Sequence, residues 1–446
     1  MSAIALMRSL NREQRNTFLA SFLGWTLDAF DFFLVTFVTL RIAHDFKVAL
    51  PAIAFAISLT LMLRPVGALL FGILADRFGR RTPLMIDIIS YSILELLTAF
   101  SPNYAIFLLL RALFGVAMGG EWGLGSSLAM ESLPTESRGL FSGILQQGYA
   151  CGYLIGAIVY YLIFTFFPNF GWRGMFVIGV LPALLVVYIR LGVRESPVWE
   201  HQQDIHRRTG TNVWQGMGRA IKSHWLVFIY VIVLMTAFNS LSHGTQDNLP
   251  TFLQAQLKLG VSATSTITII ANIGAIIGGT LFGYYSQRWG RRRAIIIACL
   301  LGILMIPLWT GYLRLPGIGL LVSIAAGAFL LQFMVQGAWG VIPVHLNELS
   351  PTDVRGTFPG FAYQLGNLFA AQIVFLEALL AEGLRVGTTP NYAAALAFFS
   401  LGAFIAVIIF TAIGKEARGV EFMKAEEGEY GVDVMVPPGV SGQEAS

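Results

Sequence analysis

A chain of 446 residues that is 56% hydrophobic and 12% charged falls far below the roughly 25% charged residues of ordinary soluble domains, which excludes a water-facing surface over most of its length. A net charge of +4 and a pI near 9.1 would suit nucleic acid only if the basic residues gathered on one solvated face; they are spread along the chain, so no nucleic-acid partner is expected. The two cysteines, Cys151 and Cys299, fall inside apolar runs as small polarizable filler and imply no disulfide framework.

The start, Met1 to Thr17, is polar and carries Arg8, Arg12 and Arg15; the apolar run after it is of full spanning length, so no cleaved leader is expected. Apolar runs then predict spans at 17–40, 52–75, 83–100, 104–126, 141–165, 174–193, 223–246, 261–285, 294–312, 317–342, 357–380 and 391–413, each long enough to cross a bilayer. Lys and Arg test the topology, because they accumulate in short cytoplasmic segments. With the amino terminus inside, 21 basic residues fall inside and 6 outside, and Arg64 and Arg111 lie within spans. Both termini are therefore expected in the cytoplasm. The expected organisation is an amino-terminal six-helix bundle at 1–193, a central cytoplasmic loop at 194–222, a carboxy-terminal six-helix bundle at 223–414 and a cytoplasmic tail at 415–446. That tail has an acidic patch and Pro437-Pro438, and it is expected to lack order.

The two bundles repeat one another. ESLPTESRG at Glu131 to Gly139 returns as ELSPTDVRG at Glu348 to Gly356, a shift of 217 positions. Trp122-Gly123 with Trp339-Gly340, Gly143 with Gly360 and Gln147 with Gln364 keep the same shift. GILADRFGRR at Gly72 to Arg81 and GYYSQRWGRR at Gly283 to Arg292 are a second pair, shifted by 211. Parallel repeats of this kind are related by an axis along the membrane normal, so the fold class is an all-α membrane protein of twelve transmembrane helices in two six-helix repeats.

The Gly72 to Arg81 stretch resembles the signature loop of the major facilitator superfamily, and Arg111-x3-Gly115-x3-Gly119 is similar to its fourth-helix motif. The resemblance implies a cytoplasmic gate at Gly72, Asp76, Arg77, Gly79 and Arg80, with Arg288 in the second copy. There Gln287 replaces Asp76, which implies weaker ion pairing. Glu131, Arg138, Glu348 and Arg355 stand at matching places near the cytoplasmic ends, a symmetry that favours gate and scaffold over substrate. A narrower match is the run from Asn239 through Ser242, His243, Thr245, Gln246 and Asp247 to Thr251, which resembles a motif of the lactate and pyruvate proton symporters related to fungal carboxylate permeases. Arg64 in LMLRPVGALLFG, and Gln364 with Asn367 in YQLGNLF, match polar positions of that family. WTLDAFDFF at Trp25 to Phe33 and RESPVWE at Arg194 to Glu200 look like the wider sialate and carboxylate proton symporters.

Asn239, His243, Gln246, Asp247 and Pro250 lie along one side of a helix, and a polar stripe in a spanning segment should face a cavity. An ionisable residue in mid-membrane commonly marks an ion pathway, which makes His243 and Asp247 the expected proton carriers; a pair that merely fastens helices is the plainer alternative. Asp28 and Asp31, one turn apart in the first span, would repel if both were ionised. Proton transport and a structural pair with Arg111 are equally compatible with them. Arg64 can hold a carboxylate through two parallel hydrogen bonds and is the expected substrate anchor, against a permanent pair with Asp28 or Asp31. Ala275 at the repeat-equivalent position argues against a symmetric scaffold role. Asn239, Gln364 and Asn367 are the expected amides of the substrate site, although helix-to-helix bonding would also use them. Asp87 is expected to pair with the loop arginines, while Glu95 and Glu377 match no motif. Trp25 is a candidate for the cavity wall.

The expectation is proton-coupled symport of a small monocarboxylate such as lactate or pyruvate by alternating access, with the proton as coupling ion and no other cofactor. The protein is expected to work as a monomer in the plasma membrane, a bacterial inner membrane by its short loops. Sialate, another organic acid or a dicarboxylate could bind the same arginine. A non-transporting nutrient sensor would need a signalling domain, which the short tails do not offer. An enzyme is not expected, because there is no nucleophile with a partnered base, no metal-ligand cluster and no phosphate loop.

Overall fold

The computed structural model describes residues 10–134, 137–195, 199–200, 222–350 and 358–418, with Asp76 as backbone only. Among them are twelve helices of membrane-crossing length and composition. They are α1 (Arg12–Phe46), α2 (Leu50–Phe78), α3 (Arg81–Ala99), α4 (Tyr104–Ser132), α5 (Arg138–Phe166), α6 (Pro168–Gly192), α7 (Trp225–Gln256), α8 (Val261–Trp289), α9 (Arg291–Trp309), α10 (Leu320–Leu349), α11 (Phe358–Gly383) and α12 (Tyr392–Ile413). The chain is a multi-pass membrane protein. Its outer face carries large exposed apolar side chains such as Leu184, Leu191, Leu304 and Phe398, which only lipid would cover at no cost.

Local sequence sets where these helices start and stop. Asn11 opens α1 with a capping box, accepting from the Gln14 amide while the Gln14 side chain reaches back to the Asn11 amide, so two orphan donors are satisfied together. α2 and α8 end on Gly79 and Gly290 at φ 89° and 93°, a backbone conformation that glycine adopts without strain. The helices that follow are capped in the same way in both halves. The Glu195 carboxylate accepts from the amides of Arg80 at 2.7 Å and Arg81 at 3.2 Å, and Glu416 accepts from those of Arg291 at 3.0 Å and Arg292 at 3.1 Å. Each places a negative charge where a helix dipole is positive.

Several spans are broken part-way. α4 is interrupted between Ala117 and Glu121, α5 at Gln147, α10 between Trp339 and Ile342, and α11 at Ala371. α7 leaves α-helical geometry after Gln246 and finishes in a π-helical turn, Phe252–Gln256. Non-helical backbone at membrane depth is tolerated where it is buried in protein, and transporters place their sites at such breaks.

The halves meet at both ends of the bundle. At the end bearing Gly79 and Gly290, Gly123 on α4 lies against Gly360 on α11 so closely that a Cβ on Gly360 would come within 2.6 Å of the Gly123 Cα. The repeat-related contact joins α5 to α10, where Ser142 Oγ donates to the Gly340 carbonyl at 3.1 Å and accepts from the Val344 amide at 3.0 Å. Towards the other end, Gln254 on α7 donates to the Phe37 carbonyl of α1 at 3.4 Å. The polar residues between these contacts are buried.

Candidate functional site

Seven of the expected substrate and proton residues, Asp28, Arg64, Asn239, His243, Asp247, Gln364 and Asn367, are buried in the middle of the bundle. They fall into two groups. On the amino-terminal side, Arg64 of α2 approaches Asp28 of α1 with Nη2 3.4 Å from Oδ2, and the same nitrogen meets the Met118 sulfur at 3.1 Å. Arg64 Nε and Asp28 Oδ1 have no hydrogen-bond partner among the described residues, so this guanidinium keeps a donor in reserve. On the carboxy-terminal side, His243 Nδ1 lies 2.9 Å from Asp247 Oδ2 and Nε2 lies 3.0 Å from Asn367 Oδ1. Asn367 Nδ2 donates to Gln364 Oε1 at 2.7 Å, and Gln364 Nε2 donates across to the Gly119 carbonyl of α4 at 3.3 Å. Asn239 Nδ2 donates to the Tyr363 carbonyl at 3.2 Å.

Phe32 joins the two groups. Its ring centroid is 5.3 Å from Arg64 Cζ and 6.0 Å from the His243 ring, so one aromatic side chain of α1 touches the expected anchor and the expected proton carrier. Trp25 stacks on Tyr149 at 5.6 Å and meets Tyr363 edge-on at 6.5 Å, and Tyr363 in turn stacks on Trp122 at 4.4 Å. These rings pack beside the polar centre.

The second intramembrane arginine is differently placed. Arg111 is bonded to Glu95 and donates to Thr98 Oγ1 at 3.0 Å, and its Cζ lies 4.3 Å and 5.1 Å from the Phe114 and Phe176 ring centroids. Asp31 lies within electrostatic range of Arg111 and Glu95, with neither oxygen hydrogen-bonded among the described residues. Of the two alternatives for Asp28 and Asp31, a direct pair with Arg111 is not formed; Glu95 of α3 holds Arg111 instead. Glu377 accepts from Asn248 at 3.0 Å, beside Asp247.

One expectation is corrected. Asp87 does not reach the loop arginines; it is buried, with Glu121, Asp28 and Arg64 as its charged neighbours and the Gly120 amide beside it. The loop arginines are engaged elsewhere, Arg81 with the Arg190 carbonyl and the Arg80 and Arg81 amides with Glu195. Glu121 escaped the sequence reading although it is a carboxylate in mid-span. It stands one residue before the repeated Trp122-Gly123, but Ala338 occupies the matching place in the second half, so repetition does not mark it.

Of the expected gate residues, Gly72 lies within α2, Gly79 ends it, and Arg77 sits 5.2 Å from the Phe78 ring centroid. Glu348 is held through both oxygens by Arg291, at 3.0 and 3.1 Å, and Arg291 also donates to Ser286 Oγ and Gln287 Oε1 at 2.7 Å. Arg288 instead lies 5.8 Å from the Tyr284 ring centroid. Arg138 Nε donates to the Leu133 carbonyl at 3.3 Å, and Glu131 ends α4 on the same side. The Asp76 side chain and Arg355 lie outside the described residues. Arg291 is the residue the sequence reading missed here, although it is the repeat counterpart of Arg80.

A broken-helix bundle of two repeated halves around a buried polar centre defines a membrane transporter. The chain belongs to the Major Facilitator Superfamily, whose family profile matches residues 17–374. It is a secondary transporter and not an enzyme. It is 32% identical over 401 residues to a carboxylic acid transporter protein homolog of Saccharomyces cerevisiae, an alignment covering 86% of this chain and 64% of the yeast protein. It is also 27% identical over 365 residues to the sialic acid transporter NanX of Escherichia coli, covering 82% and 86% of the two chains. A solved structure of the proton:xylose symporter XylE superposes with a TM-score of 0.74 at 19% identity, over 93% of this chain and 98% of the other, which establishes the shared fold.

Proposed function

We propose that this protein moves a small monocarboxylate such as lactate or pyruvate together with a proton, by alternating access of the two halves to a midplane site. The observation that carries the reading is the buried Arg64, whose guanidinium has an unused donor and shares the Phe32 ring with the His243–Asp247 pair. A guanidinium binds a carboxylate best through two parallel bonds. The single 3.4 Å contact with Asp28 leaves that mode open to an arriving anion. Displacing Asp28 would strand a buried carboxylate, so the anion enters with a proton that neutralises a carboxylate of the site. Asn239, Gln364 and Asn367 line the carboxy-terminal wall, while Asp28, Asp31, His243 and Asp247 are the proton-handling groups, with Arg111 holding the charge balance beside Asp31.

Closure and opening at the end with the arginine loops would involve Gly72, Asp76, Arg77, Gly79, Arg80, Glu131, Arg138, Arg288, Glu348 and Arg355. In this reading that end faces the cytoplasm, both termini are cytoplasmic, and the protein works as a monomer in a bacterial inner membrane. The name of the yeast relative favours a carboxylic acid. The name of the E. coli relative favours a second reading in which sialic acid or another organic acid takes the same arginine.

The test is uptake of radiolabelled lactate into proteoliposomes under an imposed inward proton gradient. Gradient-driven uptake by the wild type, lost in Arg64→Ala and Asp247→Asn, is expected. A wild type that is inert towards lactate but carries sialic acid would move the assignment to the second reading. One proton carried with one monoanion moves no net charge, so uptake should be insensitive to membrane potential.

A further inference from the structure

The hydrogen bonds that run from Asp247 to Gly119 form a chain whose direction is fixed by its far end. The Gly119 carbonyl can only accept, so Gln364 must meet it with Nε2, as the 3.3 Å contact has it. Gln364 Oε1 then faces Asn367 and accepts from Nδ2 at 2.7 Å, which turns Asn367 Oδ1 towards His243 Nε2 at 3.0 Å. An amide oxygen has no hydrogen to give, so Nε2 carries one. The contact of His243 Nδ1 with Asp247 Oδ2 at 2.9 Å needs a second hydrogen, either on Nδ1 against a carboxylate or on the carboxyl against a bare Nδ1. Either way the pair holds one proton more than a neutral imidazole beside a carboxylate.

We infer that Gln364 and Asn367 are positioning residues, tying that extra proton to the Gly119 contact between the halves. This inference deepens the proton-coupled reading above and rests on it for its physiological meaning. When the proton leaves, one hydrogen remains on the ring. Left on Nε2, it would set the lone pair of Nδ1 against a buried carboxylate, a strongly unfavourable contact. It moves to Nδ1, and Nε2 becomes an acceptor facing an acceptor. Asn367 must turn its amide to donate to Nε2, Gln364 must turn to donate to Asn367, and Gln364 Oε1 then points at the Gly119 carbonyl oxygen. The bond between α11 and α4 becomes a repulsion. The proton leaves as H+, the two amide rotations break no covalent bond, and the signal crosses from α7 to the opposite half. The same end of the bundle holds the Gly123–Gly360 contact, four residues from Gly119 at the break of α4 and one helical turn from Gln364 on α11.

The groups facing the pair are compatible with this role. From α5, Tyr149 and Tyr153 are within electrostatic range of Asp247; from α11, Glu377 is too, held by Asn248. From α1 the neighbour is the uncharged Phe32 ring, behind which lie Arg64 of α2 and its partner Asp28. Tyr363 of α11 also hydrogen-bonds the Asn367 side chain, a contact additional to the four bonds of the chain.

The test uses purified full-length protein carrying spin labels at Phe78 and Trp289, exposed positions at the ends of α2 and α8, with their separation measured from about pH 5.5 to about pH 8.5. In the wild type the population with the halves parted at this end should rise about fivefold with pH, the value of one hydrogen bond worth about 1 kcal/mol. In Gln364→Leu, which cuts the chain but leaves His243 and Asp247 in place, the separation should no longer follow pH. Asn367→Val cuts the chain one bond earlier and serves if the first variant does not fold. A separation in either variant that follows pH as in the wild type would overturn the inference, as would a wild type that shows no dependence. Lactate uptake by the same preparations separates the two claims. A separation that titrates without organic-acid uptake supports the relay and removes the substrate reading, whereas uptake with a wild-type pH profile in Gln364→Leu keeps the substrate reading and removes the relay.

Discussion

The two halves share a packing plan and differ in their buried chemistry. Among the described residues, the amino-terminal half buries the carboxyl groups of Asp28, Asp31, Asp87, Glu95 and Glu121 with the guanidinium groups of Arg64 and Arg111 between its spans, and Arg80 and Arg138 at its loop end. The polar centre of the carboxy-terminal half is built from amides around His243, with Asp247 and Glu377 as its nearby acids. The repeat is kept at the glycines of the contacts between the halves, at Trp122 with Trp339, at Gln147 with Gln364 and at the loop arginines, and the capping carboxylates Glu195 and Glu416 match in role. Where it is broken, as at Arg64 against Ala275 and Glu121 against Ala338, the residues are the charged ones of the centre. Motion that treats the halves alike calls for matching hinges and contacts, whereas holding an anion on one side and a proton on the other calls for unlike walls. In this chain symmetry therefore separates the contacts between the halves from the buried charged groups of the centre, with Gln364 and its counterpart Gln147 as a kept polar pair.

The sharpest way to break this division is to remove charge from the amino-terminal half. Arg111→Ala leaves Glu95 and Asp31 buried without their cation, and breaking a buried pair in this way costs about 3–5 kcal/mol. A large fall in Tm in detergent is expected, partly reversed by the Arg111→Ala/Glu95→Gln double variant. An unchanged Tm would show that the carboxyls of this half do not depend on Arg111. Arg64→Lys is the next largest effect and should act on substrate rather than fold. A lysine keeps the charge but not the planar fork, so KM for the carboxylate should rise about tenfold, equivalent to about 1.4 kcal/mol, with Tm nearly unchanged. A Tm loss as large as that of Arg111→Ala would place Arg64 with the scaffold instead.

The division also explains what could be read from the sequence. Twelve spans and two repeats were legible because lipid imposes length and apolarity on each span, and because the shifts of 217 and 211 preserve contacts that tolerate little change. Most of the observed helices are longer than the apolar runs, α1 reaching Arg12–Phe46 against 17–40, because helical hydrogen bonding continues into the polar ends after the hydrophobic signal stops. The expectations for His243 and Asp247 drew on helical spacing, and the structure joins the two at four residues' separation. Spacing along one helix could not reveal partners on another. Arg111 meets Glu95, Asp87 lies near Glu121 and Phe32 touches both Arg64 and His243, all across separate spans. Glu195 and Glu416 were hidden for a different reason: as caps they act on backbone amides, and each stands one residue after a basic residue past the last span of its half, in a register of 221 that neither longer motif shares.

A smaller effect is expected from the matched contacts. In Gly360→Ala the new methyl group must be accommodated against the Gly123 Cα, and overpacking of this kind costs about 1 kcal/mol or more in the closed arrangement only. The halves should part more readily at that end. A cysteine placed at Gln147, which lies between α5 and α8 against Gly279, should then be alkylated about fivefold faster in a background without Cys151 and Cys299. Equal labelling rates would mean that this contact does not control opening.

The smallest effect, and the finest probe of symmetry, comes from the capping carboxylates. Glu195 and Glu416 accept from the same pair of amides in their respective halves, so Glu195→Gln and Glu416→Gln each replace a charged acceptor at a helix start by a neutral one, at about 0.3–1 kcal/mol. If the halves use these caps equivalently, the two variants should lower Tm by equal small amounts, and the double variant should show their sum, because the sites lie far apart. The caps also tie the segments after α6 and α12 to the starts of α3 and α9, so they link the ends of each half to the arginine loops. Unequal losses would show that the amino-terminal half, which carries the greater buried charge, depends more heavily on its cap, and the symmetry of the packing plan would then be one of geometry without equality of energy.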